Sequence, residues 1–236
     1  MRWIRNFLTI VLALLLVALL IIPVLVISGL LGRVGFIYSA ARLVIRTSLR
    51  LLGVRPEVRG LDPGVFASAP VIVSNHLSNL DGPLLVSVLP VDPRVLIKAE
   101  ARKIPLIGWI MKLAGFVFVD RSSAARRQEA LAEAIGKIQR ERRPFLVFPE
   151  GTRSRDGEAR EFKKGGFVMA LRAGVPVLPV RISGTQRLLP PGRKLCAAGS
   201  VRVDFFPRLD LSGTAESQLP GLIRDLHERI YLREAT

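Results

Sequence analysis

The sequence predicts one α/β domain, a mixed sheet flanked by helices, preceded by an N-terminal membrane-associated helical segment. Three observations predict it: a long uncharged apolar run near the start, alternation of short apolar runs with helical stretches after Gly53, and a length of 236 residues. That length accommodates one compact domain with an appendage, not two full-sized domains with separate cores. Half of the residues are hydrophobic and the mean hydropathy is positive, which directs attention to a membrane segment.

From Asn6 to Gly32 no residue is charged, and Phe7 to Leu31 is dominated by Leu, Val and Ile. A helix of that length can cross a hydrocarbon core of roughly 30 Å. The run is too long for the roughly 7–15 residue apolar region of a signal peptide, and no clear small-x-small cleavage site follows. Pro23 inside it is compatible with a full span, a kinked helix or a hairpin entering one leaflet. From Arg33 to Leu52, Arg42, Arg46 and Arg50 stack on one helical face with Leu and Val surface beside them. After so apolar a segment this reads as an interfacial helix, and the alternative is an amphipathic helix packed on the domain. The expected division is residues 1–52 as membrane segment and interfacial helix, and 53–236 as the α/β domain.

Candidate strands are Pro70 to Ser74, Val95 to Lys98, Phe116 to Val119, Pro144 to Phe148, Val177 to Ile182 and Val201 to Phe205, all short and mostly β-branched or aromatic. Gly82 to Leu89, Leu106 to Leu113, Ala124 to Arg140, Gly166 to Arg172 and Leu219 to Tyr231 read as helices. Gly184 to Gly199, rich in Pro and Gly, reads as a long surface loop.

A net charge of +16 favours polyanions, either nucleic acid or anionic lipid. The basic residues are spread along the chain, aromatics are few and no recognition motif is present, so the bilayer is the expected partner and nucleic acid is not. Arginines flank both sides of the apolar run, which favours a domain on the cytoplasmic side of a cell inner membrane. A lone Cys196 rules out an internal disulfide and fits a reducing compartment. With two His and one Cys no metal site is expected, and no cofactor either.

Two segments carry chemistry. In the first, His76 follows a strand and Asp81 comes five residues later. On a continuous helix that offset would leave the side chains roughly 140° apart, so they meet only if a turn intervenes, and Asn75 to Asn79 supplies turn-forming residues. An imidazole there could take a proton from a hydroxyl while the carboxylate fixes its tautomer. Asp81 before Gly82-Pro83 also fits a plain helix N-cap, with His76 a loop histidine. In the second, a strand stops at Pro149 and presents Glu150, Gly151, Thr152 and Arg153 together, suited either to bidentate phosphate binding or to a polar turn. Lys163-Lys-Gly-Gly-Phe167 leads into a helix and could add to an anion site or be a solvated charge run.

Four blocks recur together: Asn75-His76-x-Ser78-x-x-Asp81; Lys98-x-Glu100 with Gly115-Phe-Val-Phe-Val-Asp-Arg121; Phe148-Pro-Glu-Gly-Thr-Arg-Ser154; and Val175-Pro-Val-Leu-Pro-Val180. In these blocks, over roughly residues 70 to 182, the sequence resembles the glycerolipid acyltransferase family typified by lysophosphatidate acyltransferase. The resemblance implies transfer of a fatty acyl group from acyl-CoA or acyl-carrier protein to the sn-2 hydroxyl of 1-acyl-glycerol-3-phosphate, giving phosphatidic acid. It implies His76 as base and Asp81 as its orienter. It also implies that Glu150, Gly151, Thr152 and Arg153, with Arg121 and Lys98, hold the phosphate-bearing acceptor. The alternatives are acylation of another lysolipid, such as a lyso-ornithine lipid, and a non-catalytic membrane anion-binding protein.

Overall fold

The computed structural model describes residues 2–31, 34–153 and 160–231, with the side chains of 18, 21, 22, 25–27 and 29–31 outside the description. Arg33 and Ser154, both part of the sequence reading above, also lie outside the described residues.

A seven-stranded sheet forms the centre, in the order β1-β7-β6-β2-β5-β3-β4. The strands are β1 (Val54–Arg59), β2 (Val71–Ser74), β3 (Arg94–Lys98), β4 (Val117–Val119), β5 (Phe145–Val147), β6 (Val177–Ser183) and β7 (Gly199–Phe205). All neighbours run parallel except β6 and β7, so the sheet is mixed, as expected. The inner strands are buried on both faces, which explains their continuous apolar runs. Along β2, Val71 and Val73 face one core and Ile72 the other; Phe145, Val147 and Leu146 divide the same way on β5. One core lies under α3 (Asp81–Val88) and α2 (Gly35–Leu51). The other lies under α5 (Ala124–Glu141), α6 (Gly165–Ala173) and α8 (Leu219–Tyr231).

The six expected strands and five expected helices are present, with ends shifted by a residue or two, and β1 is additional. The expected surface loop at Gly184–Gly199 is not simply surface. It contains the short α7 (Thr185–Leu188), and Leu188 and Cys196 are buried in the core beside α3.

At the N-terminus α1 (Arg2–Leu31) is one helix that continues through Pro23 and packs along α2. At 1.5 Å per residue it is about 45 Å long. Among the described residues no helix is long and apolar enough to cross a membrane. The start of α1 is fastened to the domain: Asn6 Nδ2 donates to the Cys196 carbonyl (3.0 Å), and the Cys196 N–H donates to Asn6 Oδ1 (2.8 Å). Much of the rest of α1 is apolar and exposed, with Leu14, Leu15 and Leu19 all more than half exposed.

Part of the arginine face of α2 packs on the domain. Arg46 donates from Nε and Nη2 to the Ser87 carbonyl (2.9 and 2.7 Å), and Arg42 donates to Val86 O (3.3 Å) and pairs with Asp92 (2.8 Å). These are the last carbonyls of α3, which lack partners within their own helix and sit at its negative dipole end. The two arginines therefore tie α2 to the domain, the packed alternative, rather than offering both guanidiniums to lipid head groups.

Candidate active site

The site lies where β2, β5, β3 and β4 all end, at the carboxyl edge of the sheet where α/β folds expose functional groups. Asn75 leaves β2 by bonding across to β6: its Nδ2 donates to Ile182 O (2.9 Å) and its Oδ1 accepts from Ile182 N (2.7 Å). This fixes the chain direction just before His76. The turn that follows folds around Asp81, whose Oδ2 accepts from Leu77 N (2.6 Å), Ser78 N (2.7 Å) and His76 Nδ1 (2.9 Å). Asp81 is fully buried and begins α3, so its carboxylate also faces the positive end of that helix.

Because Asp81 accepts from Nδ1–H, the free lone pair of His76 is on Nε2. The imidazole lies nearly parallel to the Phe148 ring, 4.2 Å between centroids, and is partly exposed to a large cavity. That cavity has a volume of about 1170 Å³, above the roughly 300–1,000 Å³ of ordinary ligand sites. Its deeper walls are apolar, built from Val17, Leu20, Tyr38, Ile97, Ile110 and Phe116 among others. At the His76 end it is polar and basic: Asn79, Lys98, Arg121, Gly151, Thr152 and Arg153 line it.

Of the residues singled out in the sequence, His76, Lys98, Arg121, Gly151, Thr152 and Arg153 line the cavity, in unequal positions, while Asp81 and Glu150 are buried and do not. Arg153 Nη1 donates to Asn79 Oδ1 (2.5 Å), which brings the guanidinium beside the His76 turn. Arg121, after β4, donates from Nη1 to the Gly151 carbonyl. Gly151 has φ +75°, a left-handed conformation that favours glycine, and a Cβ there would stand 3.2 Å from Lys163 Nζ and 3.4 Å from Arg121 Nη1. Glycine thus lets two cations close over the turn. Lys98, at the end of β3, is exposed on the cavity rim.

Glu150 is different. It is 2% exposed and turned inward: Oε1 accepts from the backbone N–H of His76 (2.9 Å) and from the hydroxyl of Tyr231, while Oε2 is buried with no partner among the described residues. Burial pushes its carboxyl above the ordinary range, and the bonds from Tyr231 and His76 pull it back. Burial and the adjacent carboxylate push the Tyr231 phenol far up, so Tyr231 is the donor of the pair. Tyr231 is a participant that the sequence motifs do not contain. Its only sequence signal is its place beside Ile230 on the apolar stripe of α8, four residues after His227, with both rings against Phe162.

An acyltransferase family model matches residues 55–183, more than half of the chain. The chain belongs to that family. Among acyltransferases it is 33% identical over 185 residues to human 1-acyl-sn-glycerol-3-phosphate acyltransferase beta, covering 78% of this chain and 66% of that one, just under two thirds. It is 32% identical over 196 residues to the 1-acyl-sn-glycerol-3-phosphate acyltransferase of Borreliella burgdorferi, covering 82% and 77% of the two chains. The crystal structure of the 1-acyl-sn-glycerophosphate (LPA) acyltransferase PlsC from Thermotoga maritima superposes over the whole of both chains with a TM-score of 0.75 at 29% identity. The acyltransferase match ends at 183, so α8 and Tyr231 lie beyond it.

Proposed function

We propose that this acyltransferase moves a fatty acyl group from a thioester, acyl-CoA or acyl-carrier protein, to the sn-2 hydroxyl of 1-acyl-glycerol-3-phosphate, giving phosphatidic acid and a free thiol. The observation that carries the reading is a carboxylate-oriented His76, with Nε2 free, at the junction of a basic rim and an apolar cavity. Nε2 takes the hydroxyl proton as the oxygen attacks the thioester carbonyl; the C–O bond forms, the C–S bond breaks, and the imidazolium returns the proton to the departing thiolate. Asp81 stabilises the imidazolium. Cys196 is buried and its thiol is pushed up by that burial, which disfavours a thiolate and supports direct transfer without an acyl-enzyme.

Arg153, Arg121 and Lys98 meet the acceptor's phosphate, with Gly151 and Thr152 shaping the turn beneath it. Glu150 takes another part: an anion has no reason to face a phosphate, and its bond to the His76 amide makes it a brace for the base. A bilayer supplies the lipid acceptor, and the exposed apolar surface of α1 supports a place on a membrane, with the flanking arginines favouring the cytoplasmic side of the inner membrane. Purified protein in detergent, given a panel of lysolipids with labelled acyl-CoA and acyl-carrier protein, tests the assignment. Product on lysophosphatidate is expected, and acylation of a different lysolipid alone would replace it.

Two variants probe the parts. Arg153→Lys keeps charge but loses the planar fork. Charge-assisted bonds are worth roughly 1.5–3 kcal/mol, so kcat/KM for the acceptor should fall about ten- to a hundredfold, mostly in KM, with the donor KM unmoved. A raised donor KM instead would move Arg153 to the thioester side. Tyr231→Phe keeps the ring against Phe162 and removes only the donor to Glu150. Loss of that bond should lower kcat roughly tenfold while both KM values stay near wild type. Unchanged kcat would show that Glu150 needs no help in bracing His76.

A further inference from the structure

The short helix α4 (Ile107–Leu113) and the turn before it are apolar on two sides. Ile107, Ile110 and Met111, with Ile104 of the preceding turn, line the cavity. Leu106, Trp109 and Leu113 do not; they project outward, spaced i, i+3, i+7, and are 42%, 50% and 39% exposed. Nothing among the described residues covers them. The segment is also tightly built. Gly108 N donates to Ile104 O (2.8 Å), and a Cβ on Gly108 would lie 2.2 Å from Arg102 O. Leu106 is held at φ +64°, a conformation leucine rarely adopts. A leucine fixed in strain and turned outward is not the residue of a loop selected for water.

The surrounding charge indicates the partner. Residues 99–113 contain Arg102, Lys103 and Lys112 against one carboxylate, Glu100. Arg102 stacks over the Phe118 ring (4.7 Å), while Lys103, before Leu106, and Lys112, between Trp109 and Leu113, are both exposed. Lysines flanking tryptophan and leucine suit the boundary between acyl chains and anionic head groups. α1 lines the same cavity through Val17, Leu20 and Val24, and it also exposes apolar surface. We propose that the outer face of α4 docks on an anionic bilayer, with Leu106, Trp109 and Leu113 among the acyl chains and Lys103 and Lys112 on the head groups. Cavity and lipid are then continuous, and an acceptor enters sideways without crossing water. The inference rests on the reading that the acceptor is drawn from a bilayer.

The chain has two tryptophans, so full-length Trp3→Phe protein reports Trp109 alone. Vesicles of phosphatidylglycerol and phosphatidylcholine should shift its emission to the blue, and lipids brominated high on the acyl chain should quench it. Paired Lys103→Glu and Lys112→Glu changes should lower vesicle partitioning at least severalfold at low salt, and less at high salt. Turnover of a water-soluble short-chain acceptor should stay at the wild-type level. Sedimentation of the same samples separates the outcomes. Vesicle-bound protein whose Trp109 emission is unmoved would overturn the α4 assignment while leaving the bilayer reading intact. Protein that never sediments with vesicles would overturn both. A blue shift that depends on protein concentration without vesicles would assign the face to a second copy of this chain, and would overturn the proposal.

Discussion

His76→Ala is expected to retain between about a hundredth and a ten-thousandth of wild-type kcat, because a positioned general base contributes roughly 10²–10⁴-fold and the other histidine is not placed to replace it. His227, the other histidine, is on α8 with Nε2 on the Arg160 carbonyl (3.0 Å), edge-on to Phe162. The His76 side chain is 22% exposed, borders the cavity and stacks on Phe148, and its truncation leaves the turn held by the Leu77 and Ser78 amides on Asp81. The melting temperature should move by only a few degrees, at about 2–4 °C per kcal/mol for a chain of this size. Thermal melts beside single-turnover kinetics make the comparison. A folded variant that kept a tenth of kcat would end the general-base assignment.

Asp81→Asn should fail in both respects. In its better orientation the amide oxygen replaces Oδ2 and still accepts from His76, Leu77 and Ser78. The amide nitrogen then occupies the position of Oδ1, which is buried and has no partner among the described residues. An unsatisfied buried donor costs about 1–3 kcal/mol, and α3 also loses the anion at its positive end. Several degrees of melting temperature should go with it. The imidazolium formed during transfer loses its counter-charge, and in the other amide orientation the NH₂ group holds His76 in the wrong tautomer; the latter effect lowers kcat on the order of 10⁴-fold in a comparable histidine–carboxylate pair. Equal stability in the two variants would mean that Asp81 does not organise the turn.

The pairing of His76 with Asp81 was legible because their spacing demanded a turn and the residues between could make one. Asp81 is the first residue of α3 and not its N-cap, which is Leu80, and its carboxylate bonds His76 and the backbone amides of Leu77 and Ser78 in the turn before the helix. Most of the sheet was legible from runs buried on both faces. β1 was not, since Val54-Arg-Pro-Glu-Val-Arg59 buries a single residue and contains Pro56, as an edge strand bonded only to β7 can. The arginines of α2 showed a face without showing what it meets, and the carbonyl ends of α3 belong to residues about forty positions away. The inward turn of Glu150 was not legible for the same reason: a motif gives a carboxylate's place in the chain, not the direction it turns. Here the direction is set by a phenol 81 residues further on.

The grip of Asn6 on residue 196 engages only the peptide group, never the sulfur. The thiol itself merely points at its neighbour's carbonyl, Ala197 O at 3.2 Å. Cys196→Ala should therefore leave the N-terminal helix fastened and kcat within about twofold of wild type, at a stability loss on the order of 1 kcal/mol. Because Cys196 is the sole cysteine, that variant is a thiol-free background. Single cysteines introduced along α1 and carrying a spin or dye label would then give distances to the sheet in detergent and in lipid. A constant separation near residue 6 with a variable one toward residue 31 would mark the helix as a hinged lever, whereas equal separations throughout would mark it as a fixed strut.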